Sequence, residues 1–534
     1  MKTQILLGPP GTGKTTTLMN RIQGLLDSNV PPEEIAFVSF TKAACTEAKE
    51  RAIARFCFED EQLPWFRTVH STALRMIGGR IAGDVMTDRH WKHFADYAKC
   101  EFTSTRLEEG TAFYLAFQSD GDQMRAILDL SRGCLISIEQ AMLKIGRAAI
   151  HISATDVRTF AKRLHEFKAE SRLIDFSDML ELALRAPRKP PVSIAFVDEA
   201  QDLTPIQNRL VRHWFCESRC ESLTLAGDDD QAIFTFAGAD PDELIAASRE
   251  HPTQILDQSW RIPASVHRMA QSIIEQNRNR VPKEYKPRPV EGTLVTVRDA
   301  ARALEGLGGP AMALVRNRKF AGDLYGAALS NGLLFSCEAG IAAPLDKVAI
   351  LGAYRAVTAL RAGRAARAAD FAHFISQVPS KDGATEILPR GVKTKVEENE
   401  QLVTVGRARV EFGLGSFLDH YVLGESDPFR ALVKLEKLER EYLGKIAARY
   451  GQTLPAMPQL VITTMHKSKG REAHTVILCS EMAGPSHDEL LRGDTESEHR
   501  VAYVASTRAK DEMRVIRPET DRSYPYEKHM RRVS

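Results

Sequence analysis

Cysteine is scarce and scattered in this 534-residue chain, which holds eight of them without regular spacing. A disulfide framework is therefore not indicated, and a reducing, cytoplasmic location is expected. His213, Cys216 and Cys220 stand close together in the sequence. No second ligand pair follows at the spacing of a zinc site, so packing of a helix against the core is the favoured interpretation.

Long apolar runs and a strong net charge are also missing. No run approaches the ~20 residues of a membrane-spanning helix, and the apolar stretch in MKTQILLGPPG is too short for a signal peptide. We therefore expect no membrane contact. The 72 basic and 70 acidic residues give a net charge of only +2, so a polyanionic partner would have to bind local basic patches.

Short apolar segments that end in glycine or in acids alternate with helical patterns along the chain. QILLG predicts a strand, TGKTTTLMNRIQGLLDS a helix and IAFVSF a second strand, and this order predicts a parallel sheet. Further strands are predicted at SIAFVDEAQ, SLTLAGD, TLVTVRD, AMALVRN, LVITTMH and HTVILCS. Residues 80–170 and the alanine- and arginine-rich segment 351–374 are predicted to be helical.

The predicted fold class is α/β, with two parallel-sheet cores that are each interrupted by a mainly helical insertion. The length is too great for one core and suggests about three or four domains. The predicted ranges are 1–79 and 171–250 for the first core, 80–170 for its insertion, 251–340 and 456–534 for the second core, and 341–455 for its shorter insertion.

GPPGTGKT, residues 8–15, has the full P-loop pattern and lies between a predicted strand and a predicted helix. Its glycines allow backbone N–H groups to surround a phosphate, and the helix N-terminus adds its dipole. Lys14 is expected to reach the β- and γ-phosphates, and Thr15 to bind Mg²⁺. The expected nucleotide-binding residues here are Gly8, Pro9, Pro10, Gly11, Thr12, Gly13, Lys14, Thr15 and Thr16.

An acidic pair ends the apolar strand in IAFVDEAQD. Asp198 is expected to hold Mg²⁺ together with Thr15, and Glu199 is placed to accept a proton from an attacking water. A protein that only binds nucleotide has no need of the second carboxylate, so the pair favours hydrolysis over a passive switch. A solvated acid pair at a strand end is the alternative interpretation.

Five segments follow the P-loop in order: VDEAQD, GDDDQAIFTFAGAD, QSWRIP, TTMHKSKGREA and RVAYVASTRAKD. With the P-loop, they resemble the motif series of UvrD/Rep/PcrA-like superfamily 1 DNA helicases, and the resemblance runs from Gly8 to about Lys510. One such motif is weak, but six in the correct order are specific. The resemblance implies two RecA-like P-loop NTPase domains, with ATP between them and single-stranded DNA across their tops.

The resemblance implies further residues at the ATP. Gln231 corresponds to a sensor of the γ-phosphate, and Trp260 to an aromatic residue that stacks on adenine. Arg261 and Arg508 correspond to two arginines that reach the γ-phosphate, each worth about 10³–10⁵ in rate. Both are expected from the second domain, so that hydrolysis would be fast only when the domains close. Glu472 is expected to face the nucleotide.

A DNA path without sequence preference is also implied. Phe236 corresponds to an aromatic residue that stacks on a base, a contact worth about 1–3 kcal/mol, whereas Phe234 is expected in the core. If this segment is an extended strand, the two rings share one face; burial of both is the alternative. The other implied DNA contacts are Phe40, Thr41, Thr68, His70, Thr464, His466 and Lys469.

The chain also departs from the family pattern. Ala237 stands where close relatives often have an arginine, so one DNA contact is expected to be missing. The glutamine that reads adenine, normally upstream of the first strand, is not found, and loose discrimination among nucleotides is expected. The arginines of the second insertion fit either duplex phosphates or a solvated face: Arg355, Arg361, Arg364 and Arg367.

The leading hypothesis is an ATP-driven helicase that moves 3′ to 5′ and acts on single strands and on single/double-strand junctions. A motor of the same fold that strips proteins from DNA, or loads a replication, repair or recombination partner, is the alternative. A third hypothesis is a DNA-binding module gated by nucleotide but without catalysis. The intact set of Lys14, Glu199, Arg261 and Arg508 argues against the third.

Overall fold

The computed structural model describes residues 2–39, 42–78, 83–103, 119–145, 150–382, 385–424 and 427–531. The chain divides into two compact units. The first unit comprises Met1–Arg261, Ile274–Arg288 and His499–Tyr503. The second comprises Ile262–Ile273, Pro289–Glu498 and Val504–Ser534.

A six-stranded sheet forms the centre of the first unit. The strands of this part of the chain are β1 Lys2–Leu7, β2 Ile35–Ser39, β3 Phe66–Thr68, β4 Asp84–Val85, β5 Leu173–Ile174, β6 Ile194–Asp198, β7 Ser222–Gly227 and β8 Thr253–Ile255. The sheet has the order β3-β2-β6-β7-β1-β8, and every neighbouring pair is parallel. β4 and β5 form a separate parallel pair.

Both faces of this sheet are buried. Ile5 and Leu7 of β1 belong to one apolar cluster, whereas Leu6 between them belongs to the other. This alternation follows from the two-residue period of a strand, and burial on both faces explains why these strands read as unbroken apolar runs. The covering helices are Lys14–Asp27, Lys42–Phe56, Val69–Met76, Phe176–Arg185, Pro205–Val211 and Asp242–Glu250.

In the described part of the chain between β4 and β5, four helices have an apolar core of their own. They are Asp88–Ala98, Asp120–Cys134, Ile138–Ile145 and Ala154–Ser171. Their core includes Trp91, Phe94 and Phe160, and the rings of Phe94 and Phe160 meet edge to face at 5.3 Å. Three of these helices lie within the range 80–170 that was predicted to be helical, and the fourth ends one residue beyond it.

A second parallel sheet of six strands forms the centre of the second unit. The remaining strands are β9 Gln258–Pro263, β10 Lys286–Arg288, β11 Thr293–Val297, β12 Ala311–Val315, β13 Phe335–Cys337, β14 Lys381–Asp382, β15 Thr385–Glu386, β16 Leu460–Thr464, β17 Ala473–Cys479 and β18 Ala509–Ile516. The second sheet has the order β11-β18-β17-β12-β16-β13, again with parallel neighbours throughout. β9 pairs with β10, and β14 with β15.

The helical segment predicted at 351–374 consists of two helices. Gly363 follows the first helix and has a φ of 68°; a left-handed residue at this position commonly ends a helix.

The later helices are Ala264–Ile274, Ala300–Ala303, Ala321–Ser330, Val348–Arg361, Ala368–Gln377, Val392–Glu397, Val405–Val410, Gly415–Leu418, Lys437–Tyr450, Gly484–Arg492, Thr495–Ser506 and Tyr526–Arg531.

The predicted fold class is confirmed. All eight apolar segments that were predicted as strands contain a strand, and the two parallel sheets form two α/β units. Among the described residues, no helix combines the length and the apolar character that crossing a lipid bilayer requires.

Candidate active site

The P-loop connects β1 to the helix Lys14–Asp27. Gly11 and Gly13 adopt φ angles of 74° and 79°, which glycine reaches without a steric cost. The first bond of the helix runs from Thr17 N to Gly13 O at 2.9 Å. The N–H groups of residues 14–16 therefore precede the helical ladder, which makes this turn suited to an anion.

Other contacts fix the shape of the loop. Gly8 N donates to Gly227 O at 2.9 Å, so the start of the loop is bonded to the end of the neighbouring strand β7. The Thr12 hydroxyl donates to Pro9 O at 2.8 Å, which closes the turn. The Thr15 side chain is half-buried and that of Thr16 is exposed.

Lys14 lies between the two acids at the end of β6. Its ammonium is 3.3 Å from Asp198 Oδ1 and 2.7 Å from Glu199 Oε1. Burial opposes the charged form, but the attraction of both carboxylates outweighs it and raises the pKa of the Lys14 ammonium. Burial also raises the pKa of Asp198, against the attraction of Lys14. The structure thus brings the P-loop lysine and the strand-end acid pair together in the first unit.

Glu199 has a strained backbone. Its φ of 54° is in the left-handed region, which costs a residue with a side chain about 1–2 kcal/mol. Asp198 Oδ1 accepts from Glu199 N at 2.9 Å, and Gln201 Nε2 donates to Glu199 Oε2. The left-handed conformation of Glu199 is thus stabilised by hydrogen bonds to its N–H group and to its carboxylate.

The strand β9 lies directly on the P-loop. Trp260 N donates to Gly11 O at 2.9 Å, and the Ser259 hydroxyl donates to Pro10 O at 2.8 Å. A Cβ on Gly11 would lie 2.5 Å from Arg261 Cβ. The Trp260 ring is 69% exposed, which leaves its face open for stacking.

These backbone contacts place Arg261 in the first unit, whereas we expected both arginines in the second. Arg508 does lie in the second unit, where its side chain is 1% exposed. Its guanidinium donates to Val504 O at 2.8 Å.

The segment GDDDQAIFTFAGAD is not an extended strand. It forms two short 3-10 turns, Asp229–Gln231 and Thr235–Ala237, so the premise that the two phenylalanines share a strand face is wrong. Phe234 and Phe236 are both half-buried, and their rings meet edge to face at 6.2 Å. Phe234 is therefore not the fully buried core residue that we expected.

The three acids of this segment are buried, with exposed fractions of 0%, 0% and 1% for Asp228, Asp229 and Asp230. Burial raises the pKa of Asp228 to about 6, against the attraction of a lysine. That lysine is Lys283, which the sequence analysis did not single out. Acids in a row are typical of a surface turn, and nothing local in the sequence indicates that their cations follow 50 residues later.

His70 lies beside a second residue that the sequence analysis missed. Its ring meets that of Phe176 edge to face at 5.5 Å, and Phe176 is 48% exposed. Burial lowers the pKa of His70 to about 4, so the ring is neutral at pH 7. Thr68 caps the helix Val69–Met76 by accepting from Ser71 N at 3.2 Å. Phe40 and Thr41 lie outside the described residues.

In the second unit, the candidate residues after β16 differ in exposure. Thr464 and His466 are each 4% exposed, whereas Lys469 is half-buried. Burial, and then the nearby charges of Arg316 and Lys469, lower the pKa of His466 well below its ordinary value. Of these three residues, Lys469 is therefore the most accessible to a ligand. Glu472 accepts from Lys510 Nζ at 2.8 Å.

The insertion arginines at 355, 361, 364 and 367 are all exposed. Arg361 donates to Val422 O and Arg364 to Gln452 Oε1, and Arg367 pairs with Asp370.

A metal site made of protein side chains alone is not found: within the described ranges, no group of three or more His, Cys, Asp or Glu residues is arranged to hold a metal. Mg²⁺ is usually bound through one or two carboxylates plus the phosphates of a nucleotide. The carboxylate of Asp198 and the hydroxyl of Thr15 are oxygen donors of this kind, so the residues at the P-loop fit Mg²⁺.

Two family models match the chain. The UvrD/REP helicase N-terminal domain matches residues 1–252, and the UvrD-like helicase C-terminal domain matches residues 411–519. The chain belongs to the UvrD/REP helicase family.

Individual members of the UvrD/REP helicase family cover part of the chain. The ATP-dependent DNA helicase PcrA of Staphylococcus epidermidis (strain ATCC 35984) and that of Staphylococcus aureus (strain Mu50) are each 24% identical to it over 301 residues. The aligned region is 52% of this chain and 39% of each relative. The chain therefore matches about two fifths of the length of these relatives.

Replacing Gly11 with alanine is expected to weaken nucleotide binding to this UvrD/REP-type P-loop. The left-handed φ would cost alanine about 1–2 kcal/mol, and the new Cβ would overlap Arg261 Cβ. Binding of a fluorescent ATP analogue measures the effect. The control is Gly24→Ala in the following helix, where no atom lies within 4 Å of the added Cβ; this change is expected to stabilise by about 0.5–1 kcal/mol. Equal binding by both variants would contradict the prediction.

His70 is expected to make the first unit less stable in acid. Its folded pKa of about 4 is below the ordinary histidine pKa of 6.5, so the unfolded chain binds the proton first. The contribution of His70 to stability is then fully present above pH 6.5 and is lost as the pH drops towards 4. It amounts to at most about 3 kcal/mol, and to less because the ring is only half-buried. All four tryptophans lie in this unit, so urea unfolding followed by tryptophan fluorescence measures it. His70→Gln should flatten the profile; an unchanged profile would refute this assignment.

Proposed function

We propose that this chain is an ATP-dependent DNA helicase that moves 3′ to 5′ along single-stranded DNA. The observation that carries the proposal is the position of Lys14, between the P-loop and the paired carboxylates of Asp198 and Glu199. The names of the relatives and the order of the motifs support ATP as the nucleotide and DNA as the polymer.

In this proposal the P-loop holds the triphosphate of ATP. The N–H groups of residues 14–16 and the Lys14 ammonium would bind the β- and γ-phosphates. Asp198 and Thr15 would hold Mg²⁺, which, when bound, neutralises charge on those phosphates. The present partners of the Lys14 ammonium are side chains of the same site, and phosphate oxygens would take their place.

Glu199 is the proposed general base. Its carboxylate is held by Lys14 on one oxygen and by Gln201 on the other, which fixes its direction towards the P-loop. Gln231 and Arg261 are the proposed contacts to the γ-phosphate from the first unit. Arg508 is the proposed contact from the second unit, and a requirement for both units would link hydrolysis to their motion.

The DNA path proposed for the first unit is formed by half-exposed aromatic residues. Phe176 with His70, and Phe236 with Phe234, are two edge-to-face pairs that each present a ring. Stacking on such rings tolerates every base. A neutral His70 adds no positive charge, so the proposed contacts there are to bases and sugars, whereas Lys469 of the second unit would contact phosphate.

Strand displacement tests the proposed activity. Duplexes with a 3′ tail, a 5′ tail or blunt ends are compared, each with ATP and with GTP. Unwinding of the 3′-tailed duplex alone is the expected result, and the GTP arm measures how strictly the base is read. ATP hydrolysis that is stimulated by single strands, without unwinding, would instead favour a translocase that displaces proteins or loads a replication, repair or recombination partner.

Glu199→Gln is expected to lower kcat for ATP by about 10²–10⁴-fold, because the amide cannot accept the proton of the attacking water. ATP affinity should remain, since Glu199 does not belong to the phosphate-binding loop. Steady-state hydrolysis with a saturating oligonucleotide measures kcat, and analogue binding measures affinity. Lys14→Ala is the contrasting variant, with both quantities reduced. Normal turnover by the Glu199→Gln variant would show that Glu199 is not the general base.

Phe176→Ala is expected to weaken binding of an oligo-dT strand by about 1–3 kcal/mol, because one stacking surface is removed. Fluorescence anisotropy of a labelled oligonucleotide measures the change. The matched control is Tyr97→Ala, an aromatic residue of the same unit with a similar exposure of 41%, which should bind DNA normally. A DNA affinity that is the same for both variants would exclude Phe176 from the path.

A further inference from the structure

A cluster of buried charged side chains lies next to the candidate active site, in the first unit. Lys283 Nζ is 3.2 Å from Asp228 Oδ1, 2.5 Å from Asp229 Oδ1 and 3.0 Å from Asp230 Oδ2. Arg280 makes two bonds to Asp230, at 2.8 and 2.6 Å. The Lys283 side chain is 1% exposed. Lys283 and Arg280, which lie outside every motif recognised in the sequence, thus form ion pairs with the three acids of GDDDQAIFTFAGAD.

Asp228 connects this cluster to the proposed γ-phosphate sensor. Its Oδ2 accepts from Gln231 Nε2 at 2.7 Å, while its Oδ1 faces Lys283. The rotation of the carboxylate is therefore set by Lys283 on one side, and Gln231 is held by the other. Without the lysine, that Oδ1 would keep only the longer bond from Asp230 N, at 3.3 Å, and the carboxylate would be held less firmly in one orientation.

A second connection runs from Asp228 to the proposed general base. Asp228 N donates to Gln201 Oε1 at 3.0 Å, and Gln201 Nε2 donates to Glu199 Oε2. A Cβ on Gly227 would lie 2.4 Å from Gln201 Oε1, so only glycine there lets Gln201 approach so closely. Because buried amides keep one orientation when both ends are bonded, Gln201 links the backbone of Asp228 to the carboxylate of Glu199.

We propose that Lys283 and Arg280 are positioning residues for ATP hydrolysis, which act through Asp228 on Gln231 and, by way of Gln201, on Glu199. The inference deepens the proposed function and rests on it. Neither cation contacts the P-loop residues. Their effect is therefore on the rate of the chemical step and not on the binding of nucleotide.

A purely structural role is the competing explanation. Asp229 Oδ2 also accepts from Val281 N at 2.8 Å, so the cluster fastens the segment 274–288 to the unit whether or not hydrolysis depends on it. The two roles use different acids, since Asp229 binds the segment and Asp228 binds Gln231. A pair of substitutions can therefore separate them.

The test compares Lys283→Met with the double variant Lys283→Met, Asp229→Asn. The wild-type cluster has three negative and two positive charges, a sum of −1; the single variant has −2, and the double variant has −1 again. We expect kcat to fall about 10–100-fold in both, as for a misplaced catalytic group, with KM and analogue binding unchanged. Only the single variant should lose thermal stability. Lys286→Met, an exposed lysine of the same segment, is the control.

Each outcome decides a different point. If the double variant recovers kcat together with Tm, or if kcat never falls, Lys283 is only structural and the inference is overturned. If the single variant does not fold, the kcat of the double variant still decides. A wild-type protein that folds but does not hydrolyse ATP would overturn the proposed function, and this inference with it.

Discussion

Three neighbouring parallel strands determine where the chemistry of this molecule is placed. β6, β7 and β1 are adjacent in the first sheet, and parallel strands end at the same edge. The P-loop follows β1, Asp198 and Glu199 end β6 and begin the next turn, and Asp228 follows β7. No long-range folding event beyond strand pairing is needed to bring Lys14 within 2.7 Å of Glu199. The ion pair at this edge is the local consequence of the sheet order.

The features that could be predicted from the sequence are those that depend on residues close together in the chain. Short apolar runs gave the strands because both sheet faces are buried, and the spacing within GPPGTGKT gave the P-loop. Contacts of distant residues that lie outside the recognised motifs, or that run through the backbone, could not be predicted. Lys283 finds Asp228 across 55 positions, and β9 places Arg261 on Gly11 through backbone bonds that no side-chain pattern encodes. Phe176 has an unremarkable sequence context, and only its exposure beside His70 makes it a candidate.

The two units contribute differently to the proposed DNA path. In the first unit, the candidates are ring faces with little charge, since His70 is neutral at pH 7. In the second, Thr464 and His466 are buried and the half-buried Lys469 carries the charge. Stacking is insensitive to salt, whereas phosphate contacts weaken as salt rises. The salt dependence of binding would therefore come mainly from the second unit, and base stacking mainly from the first.

The site also includes features that stability alone does not favour. Glu199 keeps a left-handed backbone, and five carboxylates lie with three cations at one edge of the sheet. Replacing buried ion pairs by apolar residues is often neutral or stabilising, so a fold selected for stability has no need of them. Strain and buried charge of this kind gather where a backbone turn or a carboxylate must keep one orientation. The strained backbone and the buried charges are explained if Glu199 and Gln231 must each keep one orientation beside a highly charged ligand. A flexible base or sensor would turn towards the nearest cation instead.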